Sequence, residues 1–516
     1  MRGSIGERIP AMSVPALRRA SPESLGISSK AILDFVDAAS RELDGVHSFM
    51  LLRHGTVAAE GWWRPWTADQ PHMLFSLSKS FTSTAAGLAT SEGYFSVDDP
   101  VVKFFPESCP ARPSANLAAM RVRDLLRMGT GHAVDTLGAV FSREDGDWVR
   151  AFLEQPVEHE PGTHFVYNSG ATYMVSALVQ RTTGKRVLDF LRPRLFEPLG
   201  IEGPTWEQCP RGIDTGGWGL AIRTEDIARF AQLMLRQGEW NGRTLVPRRW
   251  VEEATGIQIR NGDPAQASDW SQGYGYQFWR CRNDGFRGDG AFGQFAVVLP
   301  GRGAAIAMTA GLGDMQAQLN LVWKYLLPSM GDRPLPEDRG SLRALRDRLA
   351  SLAAPVPGGT RPEPEGRVDG LGATYHVDAQ PSGPAPGALA PQPLRVDRFR
   401  LVRVRGGAEL HLREGGVDHR IAIGHGAWRA STTSWRQPAR HRRVSAIGGW
   451  TPAGTFSARV CFTETPFRAD IAVAPNGPDE VDAERDGAAL HRDGDRFHRG
   501  SAGQRPHVPH CPPPLR

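Results

Sequence analysis

Apolar residues recur at helical spacing in some stretches of this chain and alternate with polar residues in others. Helices are predicted at 28–43, 81–90, 122–128, 170–182, 224–237 and 314–327. Strands are predicted at 47–61, as a hairpin turning at Arg53-His54-Gly55, and at 274–280, 292–299 and 303–310. This order predicts an α+β fold in which an antiparallel sheet is flanked by helices and carries an inserted helical subdomain.

The composition of the chain changes after residue 330. An amphipathic helix is predicted at 340–353, followed by a linker rich in Pro, Gly and Glu. Short alternating runs then predict a small β-rich C-terminal domain, and the last stretch has hardly any large apolar residues, which predicts disorder. The predicted organisation is an N-terminal extension at 1–20, a main domain at 21–330, a helix and linker at 331–366, a β-rich domain at 367–474 and a disordered tail at 475–516.

Charge and cysteine content narrow the classes of function. The 516 residues carry 61 basic and 56 acidic groups, and the longest basic cluster, Arg440–Arg443, is short. A nucleic-acid-binding protein concentrates its positive charge, so we expect no nucleic-acid partner. The five cysteines are scattered, odd in number and without a C-x-x-C pair, which indicates neither a disulfide framework nor a zinc site. We therefore expect no metal and no cofactor.

Targeting segments are not evident in the sequence. The first 19 residues contain no continuous apolar stretch of the kind found in secretory signals, and no segment approaches the roughly 18 apolar residues that span a bilayer. We expect a cytoplasmic protein that has no membrane partner. The oligomeric state is left open.

Candidate chemistry begins at Ser76-Leu77-Ser78-Lys79. Residues three apart share one face of a helix, so Ser76 and Lys79 place a weak nucleophile beside an amine. The chain contains 5 Lys against 56 Arg. Lysine loses its proton readily when it is desolvated, whereas arginine does not. Ser76 at the mouth of a helix also gains from the helix N-terminus, which favours a developing negative charge. The pair is therefore a candidate nucleophile and general base.

Three stretches together indicate a family. They are Phe75-Ser-Leu-Ser-Lys-Ser-Phe81, Phe165-Val-Tyr-Asn-Ser-Gly170 and Gly288-Asp-Gly-Ala-Phe-Gly-Gln294. With these motifs, residues 1–330 resemble the serine hydrolases of the β-lactamase/penicillin-binding-protein superfamily, in the class C-like branch of esterases and 6-aminohexanoate-dimer hydrolases. The resemblance implies a β-lactamase/transpeptidase-like sheet flanked by helices.

The resemblance also implies roles for individual residues. Ser76 would be the nucleophile, and Tyr167 would lie opposite Lys79. An adjacent ammonium favours a phenolate, so Lys79 and Tyr167 could share one proton, and the same Tyr167 could then protonate the leaving group. The backbone N–H groups of Ser76 and Ala291 would form the oxyanion hole, and Gly290 would let the substrate lie close to the backbone.

Two motifs depart from the family pattern. Penicillin-recognising members carry Lys-Thr-Gly where this chain has Gly288-Asp289-Gly290, so a cation is missing and Asp289 is expected to repel a substrate carboxylate. Asp-Gly is equally a common hairpin turn. The second motif reads Tyr167-Asn168-Ser169 instead of Tyr-x-Asn, which puts Ser169 at the polar third position and displaces Asn168. Both, with Trp218, are candidate substrate-binding residues, although Trp218 could equally pack a loop.

These observations lead to one main hypothesis and two alternatives. The main hypothesis is a metal-free serine hydrolase that cleaves small esters or linear amides through an acyl-enzyme on Ser76. The first alternative is a β-lactamase or D-alanyl-D-alanine carboxypeptidase. The second is a non-catalytic binding or sensor protein, with the C-terminal β domain as its interacting part. The predicted partner in the main hypothesis is a small-molecule ester or amide substrate.

Overall fold

The structure is a computed structural model that describes residues 16–357, 374–376, 396–435, 442–452, 454–473, 481–483 and 488–492. Within 16–357 the strands are β1 Arg18–Arg19, β2 Val46–Arg53, β3 Thr56–Trp62, β4 His72–Met73, β5 Ala221–Ile222, β6 Glu239–Trp240, β7 Arg243–Thr244, β8 Trp279–Arg280, β9 Phe286–Gly290, β10 Gln294–Leu299 and β11 Ala304–Ala310. In the later part they are β12 Thr374–His376, β13 Val396–Val404, β14 Gly407–Glu414, β15 Val417–His425, β16 Arg429–Thr433, β17 Arg442–Trp450, β18 Phe456–Phe462, β19 Arg468–Val473, β20 Val481–Ala483 and β21 Ala488–Arg492.

The α-helices of the described residues all lie before residue 351. They are α1 Ser29–Glu42, α2 Ser78–Ser91, α3 Ala115–Ala119, α4 Val122–Leu126, α5 Leu137–Phe141, α6 Trp148–Leu153, α7 Ser169–Thr183, α8 Val187–Leu191, α9 Glu197–Leu199, α10 Thr224–Leu235, α11 Arg248–Thr255, α12 Met315–Leu321 and α13 Arg339–Ala350. No helix in this part of the chain combines the length and apolar character needed to cross a bilayer.

The main sheet has the strand order β1-β3-β2-β11-β10-β9-β8 and is antiparallel except where β1 meets β3. Strand β2 shows how the sheet separates two cores. Its residues are all buried, and they alternate between the two hydrophobic clusters, with Met50 and Leu52 in one and Phe49 and Leu51 in the other. Successive side chains of a strand point to opposite faces. Helices therefore cover both faces, as the predicted α+β class requires.

The inserted helical subdomain lies in the sequence between β3 and β8 and contributes most of the first cluster. Helices α1, α12 and α13 cover the other face, which agrees with the predicted first and last helices. The prediction of a strand at 274–280 is wrong except for Trp279–Arg280. Gly273 and Gln277 have φ angles of 102° and 67°, so the chain turns twice and cannot stay extended.

A second sheet forms the β-rich C-terminal part that the sequence predicts. Its order is β19-β18-β17-β15-β14-β13-β12-β21-β20, with β16 paired to β17. Strands β20 and β21 lie in the segment 475–516, for which the sequence predicts disorder. Strand β21 pairs with β12 and with β20, both antiparallel. The rest of that segment, most of the predicted linker and residues 1–15 lie outside the described residues.

Candidate active site

Ser76 and Lys79 lie at the start of the most buried helix of the main domain. A 3-10 turn at Phe75–Leu77 leads into α2, whose residues from Ser78 to Ala89 are all buried. Ser76 is half-buried, whereas the side chain of Lys79 is 1% exposed. The small residues of α2 allow this close packing and carry the amine out of water while the hydroxyl still faces the solvent side.

Three oxygen atoms surround the amine of Lys79. Lys79 Nζ lies 3.1 Å from Ser76 Oγ, 3.1 Å from Ser169 Oγ and 2.8 Å from the carbonyl oxygen of Gly217. An ammonium would donate to all three. A neutral amine has two N–H groups and one lone pair, so it can donate to Ser169 and Gly217 and accept from the Ser76 hydroxyl. The arrangement thus suits both the base and its protonated form.

Burial also changes the acidity of this amine. It lowers the pKa of Lys79 from 10.5 to about 7, because the charged form is poorly solvated there, and the charges of Asp135 and Asp289 oppose this shift only in part. The Asp135 carboxylate accepts the backbone N–H groups of Ser169 and Leu137, each at 3.0 Å. A lysine with a pKa near 7 is partly neutral at physiological pH and can accept a proton.

Tyr167 lies against the same amine. Lys79 Nζ is 5.0 Å from the centroid of its ring. The ring stacks on Trp279 at a centroid distance of 5.3 Å and meets Tyr274 edge-on at 6.2 Å. Tyr167 is half-buried and belongs to a small aromatic cluster with Phe165. The structure therefore brings the side chains of Ser76, Lys79 and Tyr167 close together.

The second motif divides its polar residues between two tasks. Ser169 is the first residue of α7 and bonds to Lys79, so it belongs to the hydroxyl–amine group. Asn168 is fully buried and caps α7: its Oδ1 accepts the N–H of Ala171 and the hydroxyl of Thr136. We expected Asn168 to contact substrate, and its burial corrects that expectation. Asparagine is a preferred N-cap residue, so a structural role at this position has a clear cause.

Trp218 is buried among aromatic side chains. It is 2% exposed and its ring meets the rings of Phe141 and Trp148 at 5.3 and 6.1 Å. Of the two open interpretations, packing a loop fits this environment. Its neighbour Gly217 supplies the carbonyl oxygen that binds Lys79, a contribution that no side-chain motif could reveal.

The third motif forms a hairpin that runs directly beside the nucleophile turn. A Cβ on Gly290 would lie 2.1 Å from the carbonyl oxygen of Leu74, so only glycine permits this approach. Gly293 N–H donates to the carbonyl of Gly290 at 3.2 Å and closes the turn. Gln294 Nε2 donates to the carbonyl of Ala291 at 3.0 Å, which fixes the orientation of that peptide. Ala291 therefore comes directly after Gly290, which packs against the turn that contains Ser76.

Asp289 is paired with a cation, whereas the sequence predicts a free charge that repels a substrate carboxylate. Arg287 Nε donates to Asp289 Oδ2 at 2.8 Å, and both residues lie on the same face of β9 because they are two apart in a strand. Burial raises the pKa of Asp289, and the Arg287 charge opposes that shift. Asp289 is therefore one half of a buried ion pair and not a free anion that repels carboxylates.

Sequence reasoning missed Arg287. Its side chain is fully buried, with the guanidinium carbon 4.5 Å from the centroid of the Trp270 ring. An arginine two residues before an aspartate in a strand was the available signal. The motif as a whole holds both charges. Arg287 Nε binds Asp289 and its Nη1 binds the carbonyl oxygen of Asp269, whereas its buried Nη2 has no hydrogen-bond partner among the described residues.

Comparison with known proteins places this geometry in a family. The chain is 27% identical over 302 residues to a 6-aminohexanoate-dimer hydrolase of Paenarthrobacter ureafaciens, covering 54% of this chain and 76% of that protein. It is 23% identical over 235 residues to a beta-lactamase of Escherichia coli K12, covering 42% of this chain and 59% of that protein.

A solved structure has the same fold. It is a Bacillus anthracis protein provisionally assigned as a 6-aminohexanoate-dimer hydrolase, with 18% sequence identity and a TM-score of 0.50 over 63% of this chain and 90% of that chain. The predicted resemblance is confirmed by these relatives. The sequence model of the family described as Beta-lactamase matches residues 38–318, more than half of the chain, so this protein belongs to the beta-lactamase family of hydrolases.

Proposed function

We propose that this protein is a serine hydrolase that cleaves small esters or linear amides through an acyl-enzyme on Ser76. The observation that carries the proposal is the 3.1 Å contact between Ser76 Oγ and the amine of Lys79, whose pKa lies at about 7. A nucleophile with a partly neutral base in hydrogen-bonding reach is the arrangement that acyl transfer requires.

The reaction follows from the three oxygen partners of Lys79. Ser76 attacks the carbonyl carbon while its proton passes to the neutral Nζ, which stays bound to Ser169 and Gly217 throughout. The resulting ammonium lies beside the Tyr167 ring, and its proton then passes, directly or through the Tyr167 hydroxyl, to the leaving group. Water deacylates Ser76 by the reverse sequence, with Lys79 again as the base.

The oxyanion of the tetrahedral intermediate needs preorganised donors. The backbone N–H groups of Ser76 and Ala291 are the proposed pair. Support comes from the hairpin at Gly290, which lies so close to the Ser76 turn that a Cβ there would stand 3.1 Å from the backbone nitrogen of Leu77. Adjacent backbone donors from two elements could then face one oxygen atom.

The third motif supports a choice of substrate class. Because Arg287 and Asp289 neutralise each other, we propose substrates that need no carboxylate anchor at this position. The 6-aminohexanoate-dimer hydrolase among the relatives supports including linear amides beside esters. β-Lactam hydrolysis and D-alanyl-D-alanine cleavage are the alternatives, because relatives with those names match a smaller share of the chain, 42% and 40%, than the 54% matched by the 6-aminohexanoate-dimer hydrolase.

The proposal is tested with a fluorophosphonate label, p-nitrophenyl acetate and butyrate, linear amides and nitrocefin. We expect the wild type to form an adduct on Ser76 and to hydrolyse the esters, and Ser76→Ala to lose both, with turnover lower by several powers of ten. Ser83→Ala is the matched control, because Ser83 is buried on the same helix and its hydroxyl has no hydrogen-bond partner among the described residues.

Three results would argue against the proposal. An adduct that persists in Ser76→Ala would refute the nucleophile. Nitrocefin hydrolysis faster than ester hydrolysis would favour a β-lactamase. A folded wild type that neither reacts with the label nor hydrolyses any member of the panel would favour a non-catalytic protein.

A further inference from the structure

The C-terminal sheet contacts the main domain next to the proposed oxyanion hole. The contact is made by residues 463–467, which connect β18 to β19 and are called the 463–467 turn below. The backbone N–H of Met73 donates to the carbonyl of Glu464 at 2.8 Å. A Cβ on Gly311 would stand 2.3 Å from the carbonyl oxygen of Pro466. Backbone therefore meets backbone on both sides of the turn.

Ion pairs hold the strands that carry this turn. Arg459 of β18 is 5% exposed and binds Asp44 at 3.0 Å and Asp470 at 2.8 Å. Arg468 of β19 donates to the same Asp44 at 2.8 Å. Asp44 lies between α1 and β2 of the main domain. One carboxylate thus ties both strands of the C-terminal sheet to the main domain.

The turn itself is held rigid by its own hydrogen bonds. Thr465 Oγ1 donates to the carbonyl of Phe462 at 3.0 Å and accepts the N–H of Phe467 at 3.1 Å. The N–H of Phe462 donates to the carbonyl of Phe467 at 3.0 Å. Phe467 is consequently presented at a fixed position toward the main domain.

Phe467 completes a group of three phenylalanine rings. Its ring centroid lies 6.0 Å from that of Phe75 and 5.6 Å from that of Phe292, and Phe75 and Phe292 are 5.3 Å apart. All three pairs meet edge to face. Phe75 precedes the nucleophile Ser76, and Phe292 follows the proposed donor Ala291. The residue from the C-terminal sheet therefore touches the immediate neighbours of both proposed oxyanion donors.

Phe75 and Phe292 share an unusual backbone conformation. Their φ angles are 49° and 68°, in the left-handed region that a bulky residue rarely adopts. Such conformations persist only where the surrounding structure fixes them, and they occur at active sites. Phe75 is bonded to the peptide that carries the Ser76 N–H, and Phe292 is bonded directly to Ala291, so the conformations of these two residues fix the course of the chain beside both proposed donors.

We propose that Phe467 is a positioning residue for the oxyanion hole: the C-terminal sheet, through the 463–467 turn, holds Phe75 and Phe292 in their left-handed conformations. This inference rests on the proposed function, and it makes the C-terminal sheet part of the catalytic apparatus. Phe467 acts through its two partner rings, so its role should appear in the chemical step and not in substrate binding.

The test compares Phe467→Ala and Phe467→Leu with Phe456→Ala in the full-length protein. Phe456 is a buried phenylalanine of the same sheet that packs on Trp450 and lies outside the three-ring group, so it controls for loss of stability in that sheet. The measurements are kcat and KM for p-nitrophenyl acetate, and the inhibition constant of phenylboronic acid, whose tetrahedral serine adduct places an oxygen in the oxyanion hole. Circular dichroism and thermal melting report folding.

We expect Phe467→Ala to lower kcat by about tenfold or more. Loss of a whole oxyanion donor lowers kcat by about 10²- to 10³-fold, and a donor that is only misplaced should cause part of that decrease. KM should change by less than about threefold, because the lost interaction acts only in the transition state. Phenylboronic acid should bind more weakly by a factor close to that in kcat. Phe467→Leu should recover part of the loss, and Phe456→Ala should keep kcat within about twofold of the wild type.

Other outcomes overturn the inference. If Phe467→Ala is folded and has the kcat of the wild type, the inference is wrong. This holds whether KM is unchanged or raised, because a raised KM alone indicates that Phe467 lines the substrate pocket. Equal losses in Phe467→Ala and Phe456→Ala indicate general destabilisation and also overturn it. A wild type that is neither labelled nor active refutes the proposed function and this inference together, whereas an active wild type with an unaffected Phe467→Ala refutes the inference alone.

Discussion

Replacing Lys79 by methionine abolishes the proposed base and should change the pH dependence of stability. The free energy of unfolding of the variant, measured relative to that of the wild type, should be more favourable near neutral pH than at alkaline pH. Methionine has a similar length, is unbranched and carries no charge, so it fits the channel that the lysine occupies. The lysine side chain is 1% exposed. The change therefore removes a buried ionisable group, together with its hydrogen bonds, while the length of the side chain stays similar.

The magnitude follows from the acidity of the amine. The pKa of Lys79 falls from 10.5 in an exposed chain to about 7 in the folded protein, because burial penalises the charge. Each pKa unit corresponds to about 1.4 kcal/mol, so the burial of the charge lowers the free energy of unfolding by about 5 kcal/mol when both states are protonated.

The direction with pH is set by which state holds more protons. Between pH 7 and pH 10.5 the unfolded chain keeps the proton on Lys79 and the folded protein releases it. The free energy of unfolding of the wild type therefore rises with pH across this window, by up to about 1.4 kcal/mol per pH unit. Below pH 7 the penalty is complete and constant, and above pH 10.5 it is absent. Lys79→Met lacks this rise.

Lost hydrogen bonds do not disturb the comparison. In Lys79→Met the hydroxyls of Ser76 and Ser169 and the carbonyl of Gly217 lose a partner, which costs about 1–3 kcal/mol for each group left unsatisfied. That loss is the same at every pH. The slope of the difference between wild type and variant thus reports the ionisation of Lys79, whatever the offset.

Two measurements check this prediction. Urea unfolding of wild type and Lys79→Met at half-unit steps from pH 6.5 to pH 9.5 gives the slope of the difference. Lysine-selective ¹³C labelling gives the titration directly, because the chain has only 5 lysines and the other four are exposed. One resonance should titrate near pH 7 and be missing from the variant. A flat difference in stability, or a Lys79 resonance that does not titrate near pH 7, would refute the assigned pKa and with it the proposed base.

Two further predictions concern the same site. The kcat/KM for p-nitrophenyl acetate should rise with pH to a plateau, with a midpoint near the Lys79 pKa of about 7, since only the neutral amine accepts the Ser76 proton; a midpoint above pH 9 contradicts this. Asp289→Ala should lower the free energy of unfolding by about 3–5 kcal/mol, because it leaves the fully buried Arg287 without its partner. Glu252→Ala is the control, since its exposed ion pair with Arg248 should contribute less than about 1 kcal/mol; equal losses in urea unfolding would exclude the buried-pair explanation.

Much of the fold and part of the site could be predicted because local sequence determines them. The Ser76–Lys79 spacing defines one helix face, and the Ala, Thr and Gly residues that follow it are typical of a helix packed closely on its neighbours. Tyr167 was predicted from its motif, and it lies 5.0 Å from Lys79 as that motif implies. The first feature depends on residues close together in the chain, and the second depends on a short motif.

Residues whose roles depend on distant partners could not be predicted. Asn168 is a polar residue beside Tyr167 in the second motif, where a substrate-binding residue is expected. Only the fold shows that it caps a helix and binds Thr136. Arg287 changes the meaning of Asp289, but a salt bridge depends on which face of β9 points inward. Phe467 is separated from Phe75 by almost 400 residues of sequence, and no local pattern connects a C-terminal strand turn to the nucleophile.

The ion pair in the third motif links that motif to the base. The amine of Lys79 is bonded to two hydroxyls and one carbonyl oxygen. The charge of Asp289 still acts on Lys79 from a distance and raises its pKa. The charge of Asp135 acts in the same direction and more strongly than that of Asp289. Burial outweighs both charges, because the ammonium is poorly solvated at this position, and the pKa of Lys79 therefore stays at about 7, low enough for the amine to serve as the proposed base.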